Sequence, residues 1–348
     1  MNEALLIVGH GSRDAEGVEE FLELGRVLAG RRAARPTGVA FLEFARPTIE
    51  ERIERLVAAG AERIVCQPGM LFAAGHVKND VPSEVQAAMR RWPGVEFRMG
   101  RALDVHAKLL ELCRVRWYAT LAARPQVPAT ETMLLVVGRG ASDPEANADV
   151  AKISRFLWEG YGVGWAAACY SGVTKPLVPD ALEVAARSGF RRIVVQPYFI
   201  FTGVLVKKIH QWTRECAARH PELEVFATEH LGVHPLLADV FEERAAEAVG
   251  GSPNMNCQLC KYRVQIVGHE SAVGLPQAGH HHHVRGLDGH VHHLHDEHDS
   301  HDHSHAQHDD RVHDLPHDHA RDALADVSAA SITSGHLWDD RLIQYLAF

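Results

Sequence analysis

Long apolar runs, a basic excess and a dense set of cysteines are all missing from this 348-residue chain. No hydrophobic run approaches the roughly 20 residues that span a bilayer as a helix, so a helical membrane span is not expected. Lysine and arginine (36) are outnumbered by aspartate and glutamate (45), which excludes the broad basic surface of a nucleic-acid binder. The formal charge of -9 is also local: residues 280–319 hold nine acidic residues against two arginines, residues 320–348 hold four against two, and the first 279 residues balance. The N-terminus has neither the basic flank nor the small-residue cleavage site of a signal peptide. Six cysteines do not make a secreted disulfide framework, so the expected location is cytoplasmic. Three motifs are missing as well. Gly-x-x-x-x-Gly-Lys-Ser/Thr, Gly-x-Gly-x-x-Gly with its later acidic residue, and Gly-x-Ser-x-Gly do not occur around Gly9-His10-Gly11-Ser12, so nucleotide binding and serine-hydrolase chemistry have no motif behind them.

What is present is a chain 46% hydrophobic, enough for a sizeable core, at a length that suggests two or three units. Short apolar runs at 5–8, 39–42, 64–66 and 95–97 alternate with helical patterns over 17–28, 48–59, 82–91 and 105–117. That alternation predicts βαβ units and a parallel, Rossmann-like α/β sheet. Residues 124–131 then read as a linker.

After the linker the pattern restarts. Leu134-Leu135-Val136-Val137-Gly138-Arg139-Gly140 repeats Leu5-Leu6-Ile7-Val8-Gly9-His10-Gly11, and Arg191-Arg192-Ile193-Val194-Val195-Gln196-Pro197 repeats Glu62-Arg63-Ile64-Val65-Cys66-Gln67-Pro68, both at an offset of 129 residues. A period this long is a duplicated domain, not a solenoid. Two α/β lobes, 1–123 and 132–249, are therefore expected to face each other across a cleft at the C-terminal ends of their strands, where open α/β sheets bind ligands.

The two halves differ at three of those strand ends. His10 faces Arg139 in the comparison, Glu43 faces Gly172, and His76 faces Leu205. Two imidazoles and a carboxylate suit a divalent first-row transition ion, and an imidazole also accepts protons near neutrality. Singly, His10 reads equally as a turn cap, Glu43 as a solvated carboxylate and His76 as a helix start. As a trio lost together from the copy, they read as a site.

Beyond residue 249 the character changes. Cys257 and Cys260 supply two thiolates at metal-ligand spacing, but one pair cannot close a four-thiolate site. Two chains contributing a pair each would hold an iron–sulfur cluster between them as a homodimer. Zinc with nearby histidines and a redox dithiol are the competing readings. The other four cysteines, Cys66, Cys113, Cys169 and Cys216, sit in strand or helix patterns where small buried thiols are ordinary. Residues 280–319 contain sixteen histidines in forty positions and read as a disordered tract that binds cobalt, nickel, zinc or copper with little selectivity. It serves as a tether that raises local metal concentration, or as a plain store. Residues 320–348 form a tail.

The residues Leu6-Ile7-Val8-Gly9-His10-Gly11-Ser12-Arg13, the Glu43 strand end, Gln67-Pro68 and Gly75-His76-Val77 resemble the class II chelatases that metallate sirohydrochlorin. The duplicated halves, Met255-x-Cys257-x-x-Cys260 and the histidine-rich tail are similar to the long, cobalt-inserting form of that family. The resemblance covers residues 1–320. It implies ATP-independent insertion of Co²⁺ into sirohydrochlorin on the anaerobic route to cobalamin. It also implies that His10 and His76 bind the incoming metal and assist pyrrole deprotonation, with Glu43 contributing to the same site. It implies an iron–sulfur centre, in the 4Fe–4S form, at Cys257 and Cys260 in the 250–279 segment, no nucleotide, and one active site per chain. Arg13, Arg46, Lys78, Arg139, Lys207 and Lys208 fall near strand ends and are candidates to pair with the carboxylates of the macrocycle, or are simply solvated charge. Iron or nickel as the inserted metal, and a non-enzymatic metal store or chaperone, are the alternatives.

Overall fold

The computed structural model describes residues 2–32, 35–251 and 273–274. Cys257, Cys260, the 280–319 tract and the 320–348 tail lie outside the described residues.

The first half runs β1 (Glu3–Gly9), α1 (Ala15–Arg31), β2 (Thr37–Phe41), α2 (Ile49–Ala58), β3 (Arg63–Pro68), α3 (Val81–Arg91), β4 (Glu96–Met99) and α4 (Ala107–Leu121). The second runs β5 (Thr132–Gly138), α5 (Pro144–Tyr161), β6 (Trp165–Tyr170), α6 (Val178–Ala186), β7 (Arg192–Pro197), α7 (Val204–Arg219), β8 (Glu224–Ala227) and α8 (Pro235–Gly250). Each half forms a four-stranded parallel sheet, in the order β2-β1-β3-β4 and β6-β5-β7-β8. The continuous apolar runs of β1 and β5 are buried on both faces, as strands sandwiched between helix layers must be. Helix starts follow local chemistry. Asp14 caps α1 through the Glu16 amide, and Thr48 with Glu51 forms a reciprocal capping box on α2. The Asp14 cap starts α1 two residues ahead of the hydrophobic pattern that suggested it.

Packing departs from the simple picture of two self-contained lobes. The last helix of each half crosses to the other. On β7 Gln196 donates from Nε2 to the Cys113 carbonyl of α4 at 2.9 Å, and Arg116 of α4 donates to the Leu231 carbonyl at 2.6 Å. Reciprocally, α8 packs on β3, β4, α1 and α4. Its Arg244 donates to the Leu103 carbonyl at 2.8 Å, and its Glu247 accepts from Arg101 at 2.8 Å. One hydrophobic core therefore runs through both halves, from Leu5, Ile7 and Leu109 to Leu134, Leu237 and Phe241.

A second reciprocal tie follows the repeat. Lys78 pairs with Asp143 at 2.7 Å and Glu145 at 2.8 Å; its counterpart Lys207 pairs with Asp14 at 2.7 Å and Glu16 at 3.0 Å. All three residues of each tie are related by the same 129-residue offset. The exchange of helices and these crossed ion pairs lock the sheets in one orientation, so groups at their strand ends hold a fixed relation.

Candidate metal centre

β1 lies between β2 and β3, and His10, Glu43 and His76 follow the C-terminal ends of these three strands. Their ligand atoms all lie within 4.8 Å of one another, the one such group among the described residues. His10 and His76 are half-buried; Glu43 is buried.

The β1 and β2 loops are fixed by backbone. Leu42 N–H donates to Gly9 O and Glu43 N–H donates to His10 O, each at 2.9 Å. Gly11 has φ +94°, and a Cβ there would meet the Glu43 carbonyl oxygen at 1.7 Å, so only glycine lets the two loops touch. The same contact recurs between Gly140 and Gly172 in the second half.

His76 is held differently. Residues His76–Asp80 form one turn of π-helix, with the Val81 amide bonded to the His76 carbonyl. Pro82, at the start of α3, has no amide hydrogen to offer the Lys78 carbonyl, which favours this wider turn. The turn sets Asp80 beneath His76, and the His76 Nδ1–H donates to Asp80 Oδ2 at 2.7 Å. Asp80 is itself buried and accepts from the Asn79 amide at 2.8 Å. His10 Nδ1 lies 3.0 Å from the Gly11 carbonyl and donates to it. With both Nδ1 atoms committed as donors, both Nε2 atoms carry lone pairs, and these two nitrogens lie 3.1 Å apart. At metal–nitrogen distances of about 2.1 Å, such a pair subtends about 95° at a shared ion, a normal angle for neighbouring ligands. Burial, then the nearby His76 and the charge of Arg139, hold the His10 imidazole below its usual 6.5, while its bond to Gly11 pulls the other way. The neutral, ligating form is therefore favoured.

The cations separate into three kinds. Arg139 reaches this centre from the second half: its charge is felt by His10 and Glu43. Arg13 lies over the Phe44 ring at 5.0 Å, beside His10. Arg46 is exposed and pairs with Glu51 at 3.2 Å, and Lys208 is an exposed residue of α7. Lys78 and Lys207 are the tie residues described above. Lys78 needs correction: with a side chain 1% exposed and two carboxylates against it, it braces the halves and presents no charge to a ligand. Lys207 is half-exposed but committed to Asp14 and Glu16. Cys66, Cys113, Cys169 and Cys216 are buried free thiols; burial raises Cys66 and Cys169 to about 12, so they stay protonated and inert.

Asp80 escaped the sequence reading. Its signal was the four-residue spacing from His76, in a stretch, Lys78-Asn79-Asp80, that looks like ordinary surface polarity.

The CbiX family model matches residues 4–120 and 133–248, once for each half. A sirohydrochlorin cobaltochelatase of Priestia megaterium is 37% identical over 76% of this chain and 86% of its own length. A sirohydrochlorin ferrochelatase of the same organism is 29% identical over 72% of this chain and 92% of its own. Among solved structures, SirB from Bacillus subtilis with Fe³⁺ is 26% identical with a TM-score of 0.65, covering 73% of this chain and 99% of that one. The cobalt complex of the sirohydrochlorin chelatase SirB from Bacillus subtilis subspecies spizizenii, also 26% identical, gives a TM-score of 0.60 over 74% and 99%.

Proposed function

We propose, from the fact that this chain belongs to the CbiX family, that it inserts Co²⁺ into sirohydrochlorin without ATP, on the anaerobic route to cobalamin. The observation that carries the reading is the pair of Nε2 atoms 3.1 Å apart with Glu43 beside them. Metal insertion requires two things of a protein: it must strip water from an ion, and it must take up the protons that leave the pyrrole nitrogens. His10 and His76 hold the ion as water departs. Glu43, and whichever imidazole is released as the ion passes to the macrocycle, accept the protons. Asp80 keeps the His76 lone pair directed at the ion throughout. Arg13 and Arg139, one from each half, pair with carboxylates at the macrocycle rim, with Arg46 as a further partner; the Arg13 contact with Phe44 and the charge of Arg139 at His10 support the first two. The second half lacks the ligand trio, so each chain has one active site.

The preference for cobalt rests on the higher identity to the cobaltochelatase than to the ferrochelatase of the same organism and on the histidine tract at 280–319, which favours cobalt or nickel over iron. Iron is the second reading, favoured by the ferrochelatase relatives and by the Fe³⁺ complex of the B. subtilis neighbour. Cys257 and Cys260 supply two of the four thiolates of a 4Fe–4S centre. The remaining cysteines of the chain are buried, so a second copy supplies the other pair in a homodimer. A cytoplasmic location accompanies this reading; no described helix is long and apolar enough to cross a membrane.

The test uses full-length protein under anaerobic conditions with sirohydrochlorin and equal Co²⁺, Fe²⁺ or Ni²⁺, followed by the macrocycle absorption. Fastest insertion is expected with Co²⁺. Faster insertion of Fe²⁺ assigns the chain to siroheme formation, and metal binding without insertion of any ion leaves only a storage role. A brown chromophore on anaerobic purification, lost in Cys257→Ser, checks the cluster.

A further inference from the structure

We propose that Phe44 and Val173 are the apolar walls that grip the two faces of the flat macrocycle; this rests on the chelatase reading above. They occupy equivalent positions, each one residue beyond the second strand-end position of its half, Glu43 and Gly172. Both have left-handed backbone, φ +59° and +66°, in a set of only three such non-glycine residues among the described residues. In both, the flanking residues close the same tight turn: Ala45 N–H donates to Glu43 O, and Thr174 N–H to Gly172 O, each at 2.7 Å. An i to i+2 bond around a positive φ is the strained form of the γ-turn, and a β-branched residue such as valine is especially disfavoured there. Strain of this kind persists where surrounding structure enforces it and clusters at ligand clamps. The enforcing contacts are the Gly11–Glu43 and Gly140–Gly172 approaches.

The comparison of halves isolates what the turn is for. The second half has lost its histidines and carboxylate, yet it keeps the turn and the apolar residue at its tip. The turn therefore serves something both halves do, which metal ligation is not. Val173 is 67% exposed, so its side chain is open to contact with a ligand. The Phe44 ring centroid lies 6.0 Å from that of His10, within reach of a macrocycle that receives an ion from His10. The Arg13 guanidinium 5.0 Å from the same ring adds a cation at the edge of the apolar wall. A conjugated disc with apolar faces and a carboxylate rim is the ligand that matches.

The experiment titrates metal-free sirohydrochlorin into the full-length chain, then measures Co²⁺ insertion and thermal stability, for Val173→Gly, Val173→Ile, Phe44→Gly and wild type. Glycine relieves the left-handed backbone, so both glycine variants are expected to fold with an unchanged or higher Tm. Sirohydrochlorin affinity should fall about tenfold in Val173→Gly and further in Phe44→Gly, appearing in KM while kcat at saturation stays within about threefold. Val173→Ile should retain wild-type affinity. Unchanged affinity in both glycine variants, or a Tm loss that accounts for the weakened binding, overturns the inference while the chelatase reading stands. A wild-type chain that binds no sirohydrochlorin overturns both.

Discussion

The two halves of this chain share a scaffold and differ in chemistry. They have the same strand order, the same crossed lysine ties, the same glycine contact and the same γ-turn. Only the first carries His10, Glu43 and His76, where the second has Arg139, Gly172 and Leu205. A duplicated fold thus separates what both halves do, joining the sheets and, as proposed, holding the macrocycle, from the proposed metal ligands, which one half alone retains. Arg139 shows that the second copy has not become inert. At the position of the lost histidine it places a positive charge that His10 and Glu43 both feel.

The contrast can be broken most severely at the ligands. His10→Ala and His76→Ala should each lower Co²⁺ insertion by about 1000-fold or more, a loss of about 4 kcal/mol of transition-state stabilisation, with circular dichroism and Tm little changed. Insertion at the wild-type rate in either variant would separate the trio from the activity. The ties test the opposite property. Lys78→Ala strands two carboxylates against the interior and should destabilise the fold by about 3–5 kcal/mol in denaturant unfolding. Lys207→Ala, at the more exposed copy of the same tie, should cost no more than about 1 kcal/mol. Equal effects would show that the halves are braced alike.

A smaller effect separates holding the ion from orienting its holder. Asp80→Asn keeps a hydrogen-bond partner beside His76 but removes the charge, and should weaken Co²⁺ affinity by about 10- to 100-fold, seen as a raised metal KM with sirohydrochlorin KM unchanged. The smallest is a pH effect. Because the folded protein holds His10 below 6.5, the unfolded chain binds more protons as the pH drops, so this contribution to stability is complete above 6.5 and lost as the pH falls through the folded value. His10→Asn, which cannot titrate, should show a shallower decline of Tm below pH 6.5 than wild type. The histidines away from this centre, His106, His210 and His234, are common to both proteins and cancel in the difference.

Much of this was legible in the sequence, and its limits have physical causes. The alternation of apolar runs and helical patterns predicts the parallel sheets because buried parallel strands and amphipathic helices have different periods. The trio stands out when the chain is aligned with itself, since a residue kept in one copy and lost from the other is marked without any outside comparison. The helix exchange left no mark, because an amphipathic helix has the same pattern whichever sheet it covers. Lys78 read as a surface cation for the same reason: its partners Asp143 and Glu145 are far along the chain, and only the packing of the halves brings them together. Asp80 is marked only by its four-residue spacing from His76, and Lys78-Asn79-Asp80 otherwise has the pattern of ordinary surface polarity. The paired γ-turns depend on a sign of φ, which phenylalanine and valine do not advertise as glycine would.

The central claim is that one ion is shared by two imidazoles of the first half. A cobalt-edge anomalous map of crystals of the full chain soaked in Co²⁺ tests it directly. A peak is expected within bonding distance of Nε2 of both His10 and His76, with a Glu43 oxygen as a further ligand. An enzyme that metallates sirohydrochlorin in solution while its crystals place cobalt elsewhere, with the His10 and His76 nitrogens unligated, would contradict it.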